Sequence, residues 1–307
     1  MTTSDSGRIF DIRRFSTHDG GGLRTTVFFK GCPLRCAWCH NPEGISPVSR
    51  PLWFAGACIS CGSCVKAARS GGVSQTENGI RIDPRMAEDW NAVMDACPTG
   101  ALRWDSRTIS ADELMHEIRK DKPFFVHGGG GVTLSGGDPL MQADFAAEIL
   151  RRCNAEGIHT AVETELYAGT EDVRRVLSHA QRIYADLKIF DSEKHALYTG
   201  SGNAPILENL RMLLTEELRD RVIVRTPMIP GITSTEENIA QIAHFLASLD
   251  PDVRLELLNY NPLAAAKYPL VNKEYCFQEN PKRYTDEKME YFRSIARQNG
   301  VKNILLD

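Results

Sequence analysis

From residue 108 onward the chain alternates short β-branched runs with amphipathic stretches, the signature of a parallel α/β fold. GVTLS, HTAVE, RIYADLK, DRVIVRT, VRLELLNY and KNILL are strand candidates, and LRTTVFFK, ahead of the first cysteine, supplies an opening strand. Helical spacing of apolar residues marks ISADELMHEIRK, DFAAEILRRCNAEG, ENLRMLLTEEL, STEENIAQIAHFLASL and DEKMEYFRSIARQNG. Ser110 starts the first of these with an S-x-x-E capping box, and Gly157 ends the second. About six βα units result, fewer than the eight of a closed barrel. The expected fold is α/β, a partial (β/α)6 TIM-like barrel whose C-terminal mouth stays open to a large substrate.

Residues 46–105 break this rhythm, being rich in cysteine and glycine and without clear helical period. They read as an insert, with 1–45 and 106–307 forming the barrel. About 250 residues remain without it, an ordinary size for one barrel-like domain.

Composition narrows the function classes. Lys and Arg total 36 against 40 Asp and Glu, a formal charge of -4, and no basic run offers a footprint for nucleic acid or a membrane. MTTSDSGRIFDIRRF lacks the apolar core of a signal, and no apolar stretch approaches the roughly eighteen residues of a membrane span. A cytoplasmic protein is expected. Nine cysteines in such a chain favour metal or cluster binding over disulfides, and seven of them lie from Cys32 to Cys97. Cys153 and Cys276 stand alone, as small apolar residues do.

KGCPLRCAWCHNPEG, residues 30–44, spaces Cys32, Cys36 and Cys39 as C-x3-C-x2-C directly after a strand. A structural zinc needs four protein ligands, and His40 is the one candidate fourth in this loop. On a cubane, three thiolates hold three irons and leave the fourth open to a small-molecule chelate. SGGDP, from Ser135 to Pro139, ends the second strand; its pair Gly136 and Gly137 lets backbone approach a ligand, and Asp138 adds a carboxylate for an ammonium.

Within the insert, CISCGSC gives Cys58, Cys61 and Cys64, and CPTGA gives Cys97 followed by Pro98. This is the outline of a bacterial two-cluster ferredoxin, in which each cysteine run lends its fourth member to the other cluster. Crossing makes Cys58, Cys61, Cys64 and Cys97 one complete set. The ligands of the other cluster would fall on Ala68, Ala87, Trp90 and Val93, which cannot bind iron. The insert is thus expected to be ferredoxin-like with one auxiliary 4Fe-4S cluster, a zinc knuckle being the alternative.

The order C-x3-C-x2-C, with Trp38 before its last cysteine, resembles the radical S-adenosylmethionine superfamily. GRIFDIRRFSTHDGGGLRTTVFFKGCPLRCAWCHNPEG, GGGGVTLSGGDPL, ADLKIFDSEKHALYTGSGNAPILENL, VRTPMIPGIT and LELLNYNPLAAAKY together resemble a glycyl radical enzyme activating enzyme, akin to that of pyruvate formate-lyase. The resemblance spans nearly the whole chain. It departs at Gly21, where proline is usual, at Asp138, where glutamate is usual, and at Asn261, where the pyruvate formate-lyase activator has histidine.

The resemblance implies that Cys32, Cys36 and Cys39 hold a 4Fe-4S cluster whose open iron binds S-adenosylmethionine. It further implies cofactor contacts from Trp38, Ser135, Gly136, Gly137, Asp138, Arg225 and Asn261, and from Lys188, which would face the cofactor carboxylate and count among the catalytic residues. A monovalent cation, potassium or sodium, would sit on Glu163, Thr164, Asp186 and the Tyr184 carbonyl; on their own these acids read as solvated strand ends. The implied reaction is reductive cleavage of the cofactor to a 5'-deoxyadenosyl radical, which takes hydrogen from a glycine of a partner glycyl radical enzyme. That partner would be a lyase or dehydratase, such as isethionate sulfite-lyase or choline trimethylamine-lyase, and the electron donor a flavodoxin or ferredoxin type. THDGGGLRT is expected to line the mouth, with His18, Asp19 and Arg24 gripping the incoming peptide. The competing readings are a radical enzyme acting on a free small molecule and a ferredoxin-like electron carrier.

Overall fold

The computed structural model describes residues 5–17, 19–216 and 218–306. The chain opens with a hairpin of β1 (Ser6–Ser16) and β2 (Arg24–Phe29). The insert holds β3 (Pro51–Trp53), α1 (Ser63–Ala67), β4 (Val73–Thr76), β5 (Gly79–Ile82), α2 (Trp90–Asp95) and β6 (Leu102–Trp104). Then β7 (Arg107–Ser110), α3 (Ala111–Arg119) and α4 (Lys122–Gly128) lead back to the main sheet. The repeating part follows: β8 (Gly131–Gly136), α5 (Ala143–Ala155), β9 (His159–Thr164), α6 (Thr170–Leu177), β10 (Arg182–Asp186), α7 (Ser192–Thr199) and α8 (Ala204–Thr215). It ends with β11 (Val222–Pro227), α9 (Glu236–Leu249), β12 (Arg254–Leu258), α10 (Asp286–Gln298) and β13 (Asn303–Leu305).

Nine strands form one sheet in the order β13-β12-β11-β10-β9-β8-β2-β1-β7. From β2 through β13 they are parallel, and β1 and β7 extend that edge antiparallel. Alternation along each strand splits the sheet into two unlike faces. Val27, Phe29, Val132, Leu134, Val162, Ile183, Val224 and Leu255 join the core with helix residues such as Phe145, Val173, Leu210, Ile239 and Phe292. The intervening positions, Thr26, Thr133, Ser135, Glu163, Asp186 and Arg225, put a polar face opposite. Such an asymmetric sheet keeps its apolar side under helices and reserves the other for chemistry.

The strands and helices expected beyond residue 108 are all present. The insert departs from expectation in having two helices, α1 and α2, of five and six residues, too short to show a period. Its core is Cys64, Val73, Val93 and Leu102. A larger correction concerns THDGGGLRT. Because β1 runs antiparallel to β2, with Ser16 opposite Arg24, this turn lies at the N-terminal end of β2, across the sheet from the cysteines. Where the chain returns from the insert, Lys30 meets Asp105 at 2.5 Å, their side chains 0% and 2% exposed. This buried pair ties the base of the cysteine loop to the insert's exit.

Candidate active site

The loop after β2 carries Cys32, Cys36 and Cys39, and its course is fixed from two sides. Gly31 N donates to the Gly44 carbonyl at 2.7 Å and Cys32 N to that of Ile45 at 3.0 Å. From α7, the carbonyls of Thr199 and Tyr198 accept from Arg35 N and Ala37 N at 2.7 and 3.0 Å. The turn after β8 packs against the same loop, Gly137 N donating to Phe29 O at 2.8 Å and Asp138 N to Gly31 O at 2.7 Å. A Cβ on Gly136, at φ +115°, would lie 2.3 Å from Phe29 N; one on Gly137 would lie 2.1 Å from Gly31 O and 2.8 Å from Gly44 O. The glycine pair therefore admits the cysteine loop as well as any ligand.

Next to the cysteines, the strand ends assemble a buried ionic network. Arg225 donates to Glu163 at 2.8 Å and Asp186 at 3.2 Å, and lies 4.7 Å from the centre of the Tyr184 ring. Lys188 Nζ stands 2.7 Å from Asp186 and 2.5 Å from Glu165. Ser135 Oγ donates to Glu163 at 2.5 Å. Parallel register makes these meetings, pairing Asp186 with Arg225 and Tyr184 with Glu163. Burial disfavours each charge here, yet Asp186 and Glu165 outweigh it and hold the Lys188 amine well above its ordinary value. At Asp186 burial is likewise outweighed, by Lys188 and Arg225, and its carboxyl stays below the usual range.

Glu165 is a site residue the sequence reading missed. Burial pushes its carboxyl up to about 7 despite Lys188, and its charge acts on all three thiols. The signal was a third polar residue, directly after the Glu163-Thr164 end of β9. Asp138 needs correction in the other direction. It is fully buried and takes Thr164 Oγ1 at 3.0 and 3.1 Å, Glu165 N at 2.9 Å and Leu140 N at 2.9 Å. Burial raises it to about 6. Its side chain is thus engaged inside the protein.

The three thiols fit a cationic iron cluster by donor chemistry. Burial pushes Cys32 and Cys36 well above the ordinary thiol range and Cys39 up to about 11. A ligated cation reverses that balance, because it stabilises thiolates that burial alone disfavours. All three are free cysteines on one loop, Cys36 within electrostatic reach of both others. Among the described residues, no three His, Cys, Asp or Glu side chains are already gathered as a group for a metal ion.

Residues 26–246 match the model of the Radical SAM superfamily. The isethionate sulfite-lyase activating enzyme of Oleidesulfovibrio alaskensis is 38% identical over 88% of this chain and 88% of that protein. The (2S)-3-sulfopropanediol dehydratase activating enzyme of Klebsiella oxytoca is 39% identical over 90% of this chain and 88% of its own length. The chain belongs to the glycyl radical enzyme activating enzymes. S-adenosylmethionine and a 4Fe-4S cluster come with that membership. Streptococcus suis SuiB, solved bound to its precursor peptide SuiA, shares the fold, with 14% identity, a TM-score of 0.50, and coverage of 89% of this chain and 46% of that one.

In this activating enzyme the remaining expected residues fall unevenly. Trp38 is 3% exposed, packed with Ile189, Ile229 and Tyr260, so its ring braces the loop from behind. Asn261 is exposed at the end of β12, its carboxamide capping Leu263 N at 3.1 Å. Arg24, expected to grip a peptide at the mouth, is held inside the protein. It is 1% exposed and donates to Thr133 Oγ1 and the Val132 carbonyl, both at 2.6 Å, at the N-terminal ends of the strands. Asp19 lies there too, accepting from Thr26 Oγ1 at 2.6 Å. The unforeseen strand β1 is the reason for both. His18 lies outside the described residues.

In the insert, Cys97 acts electrostatically on Cys61 and Cys64, and Cys58 on Cys64, which puts these thiols in one neighbourhood. Ala68, Trp90 and Val93, three positions where a second cluster would need ligands, pack into the insert core instead. Ala87 is exposed. Between insert and cysteine loop lies a cavity of about 590 Å³ lined by Cys32, Glu43, Trp53, Ile80, Asp105 and Leu270. No helix among the described residues is long and apolar enough to cross a membrane.

Proposed function

We propose that this activating enzyme generates the glycyl radical of a lyase or dehydratase partner, from a cluster on Cys32, Cys36 and Cys39. The observation that carries this reading is the charge of the site. Glu163, Glu165 and Asp186 meet two cations, Lys188 and Arg225, beside three would-be thiolates. An excess of buried anions favours a ligand bearing a sulfonium and an ammonium, with a potassium or sodium ion beside it on Glu163, Thr164, Asp186 and the Tyr184 carbonyl. Backbone from Ser135 to Gly137 would take the ammonium, while Lys188, Arg225 and Asn261 would orient the carboxylate end. Bound to a reduced cluster, the cofactor supplies a carbon radical able to take hydrogen from glycine. The protein's share is to hold these groups in line and exclude water.

The finer architecture belongs to the same reading. The in-order parallel strands make an open, partial barrel, and 46–105 a ferredoxin-like insert whose Cys58, Cys61, Cys64 and Cys97 hold one auxiliary 4Fe-4S cluster. The electrostatic reach of Cys97 to Cys61 and Cys64, and the apolar filling at three of the positions where other ligands would stand, support it. A flavodoxin or ferredoxin would feed electrons to it in the cytoplasm.

Relatives of nearly equal identity are named for a sulfite-lyase and a dehydratase, so the partner is chosen by experiment. The reduced anaerobic protein is mixed in turn with isethionate sulfite-lyase and with sulfopropanediol dehydratase, and the glycyl radical is read by EPR. One partner should gain a radical signal that the Cys36→Ala variant fails to produce. Cofactor cleavage to methionine and 5'-deoxyadenosine with no radical on any glycyl radical enzyme would favour a small-molecule substrate.

A further inference from the structure

The stretch NYNPLAAAKY has a task that the chemistry above leaves unassigned. After β12 the chain turns through Pro262–Val271, which meets the cysteine loop. Lys267 Nζ donates to Asn41 Oδ1 at 2.9 Å and to Glu43 Oε1 at 2.7 Å. The neighbouring Tyr268 hydroxyl donates to the Ala37 carbonyl at 2.9 Å. Two consecutive residues thus grip the loop on both sides of Cys39.

The grip is itself braced. Tyr268 is 5% exposed, its ring edge-on to Tyr275 with centroids 4.8 Å apart. The Tyr275 and Tyr260 hydroxyls are 2.9 Å apart, and Tyr260 donates to Asn280 Oδ1 at 2.7 Å. Asn280 returns to the carbonyl of Pro262 at 2.7 Å, closing the path on the strap's own first residue. Tyr260 also packs on Trp38 and Ile189, between the loop and the end of β10. An exposed connection of this length would be left mobile without such ties.

We propose that Lys267 and Tyr268 are positioning residues that clamp the cluster-bearing loop and set the electrostatics around Cys36 and Cys39; the second half rests on those cysteines being cluster ligands. The Ala37 carbonyl lies between the two ligating positions. A phenol donating to it turns the positive end of an O–H dipole toward the loop, which favours the more negative, reduced state of a cluster held there. Lys267 fixes Asn41, whose N–H lies 3.4 Å from Cys39 Sγ.

Tyr268→Phe keeps the ring and its packing and removes only the hydroxyl. In the apoprotein, hydrogen–deuterium exchange at residues 37–43 should speed up about three- to tenfold, the worth of one hydrogen bond, with α9 and β11 unchanged. In reconstituted protein, iron content should stay constant while the reduced fraction at a fixed applied potential falls about threefold. Lys267→Met should loosen the same segment, and Lys267→Arg should restore it. Unchanged exchange at 37–43, loosening spread evenly over the sheet, or an unmoved potential each overturns the proposal. Iron retained at the first site in Cys36→Ala would overturn the ligand assignment instead, and leave the exchange result to judge the clamp.

Discussion

Asp138 accepts the Thr164 hydroxyl on both of its carboxylate oxygens, at 3.0 and 3.1 Å, and so ties the turn after β8 to the end of β9. Burial raises this carboxyl to about 6 against an ordinary 3.8. A carboxyl raised on folding contributes stability that is full below about pH 4 and lost as pH climbs through 6. The shift amounts to roughly 3 kcal/mol at 1.36 kcal/mol per unit. Apoprotein stability by urea denaturation should therefore fall from pH 4.5 to 7.5 more steeply in the native protein than in Asp138→Asn. Parallel profiles would show that Asp138 does not titrate between these limits.

For the cation, Asp186→Ala should weaken S-adenosylmethionine binding and leave iron content unchanged, since Asp186 meets Lys188 and Arg225 rather than a thiol. Equilibrium dialysis across a series of potassium and sodium concentrations checks it. An affinity indifferent to both ions would remove Glu163, Thr164 and Asp186 from that role.

Reconstituted protein should hold about eight irons, two cubanes of four. Cys97→Ser should lose about four and slow activation by a protein reductant, while cofactor cleavage with a strong chemical reductant is largely spared. Iron analysis near twelve, or full iron in the variant, would contradict a single auxiliary cluster.

Lys30 and Asp105 test the joint between insert and barrel. Removing one partner strands a buried charge, so Asp105→Ala should cost about 3–5 kcal/mol. The double variant Lys30→Met, Asp105→Leu should recover much of that in urea denaturation. Equal losses in single and double variants would mean that packing, not charge, decides.

The repeating strands and helices were legible because they are local. Val222–Pro227 is β-branched at every buried position except Arg225, and Ser110 and Glu113 make the capping box their spacing announces, at 3.2 and 2.8 Å. The cysteine spacings and the family were equally open to reading. What escaped depends on partners far along the chain. SGRIFDIRRFS is absent from the strand candidates because its half-buried positions only acquire an inner side once β2 and β7 flank it. Without β1, Arg24 read as a peptide-gripping residue of the mouth, because its partners Thr133 and Val132 lie more than a hundred residues away. Glu165 looked like any strand-end acid until Lys188 from β10's loop met it.

A methyl group on Gly137 would come within 2.1 Å of the Gly31 carbonyl oxygen and 2.8 Å of that of Gly44. The segment that would seat the cofactor and the segment that would seat the cluster thus share a single mould. Neither can drift in sequence by itself, because a methyl group gained on one side must be matched by retreat on the other. A chain built this way inherits its two signatures as one unit, and can diversify only at a distance from their seam.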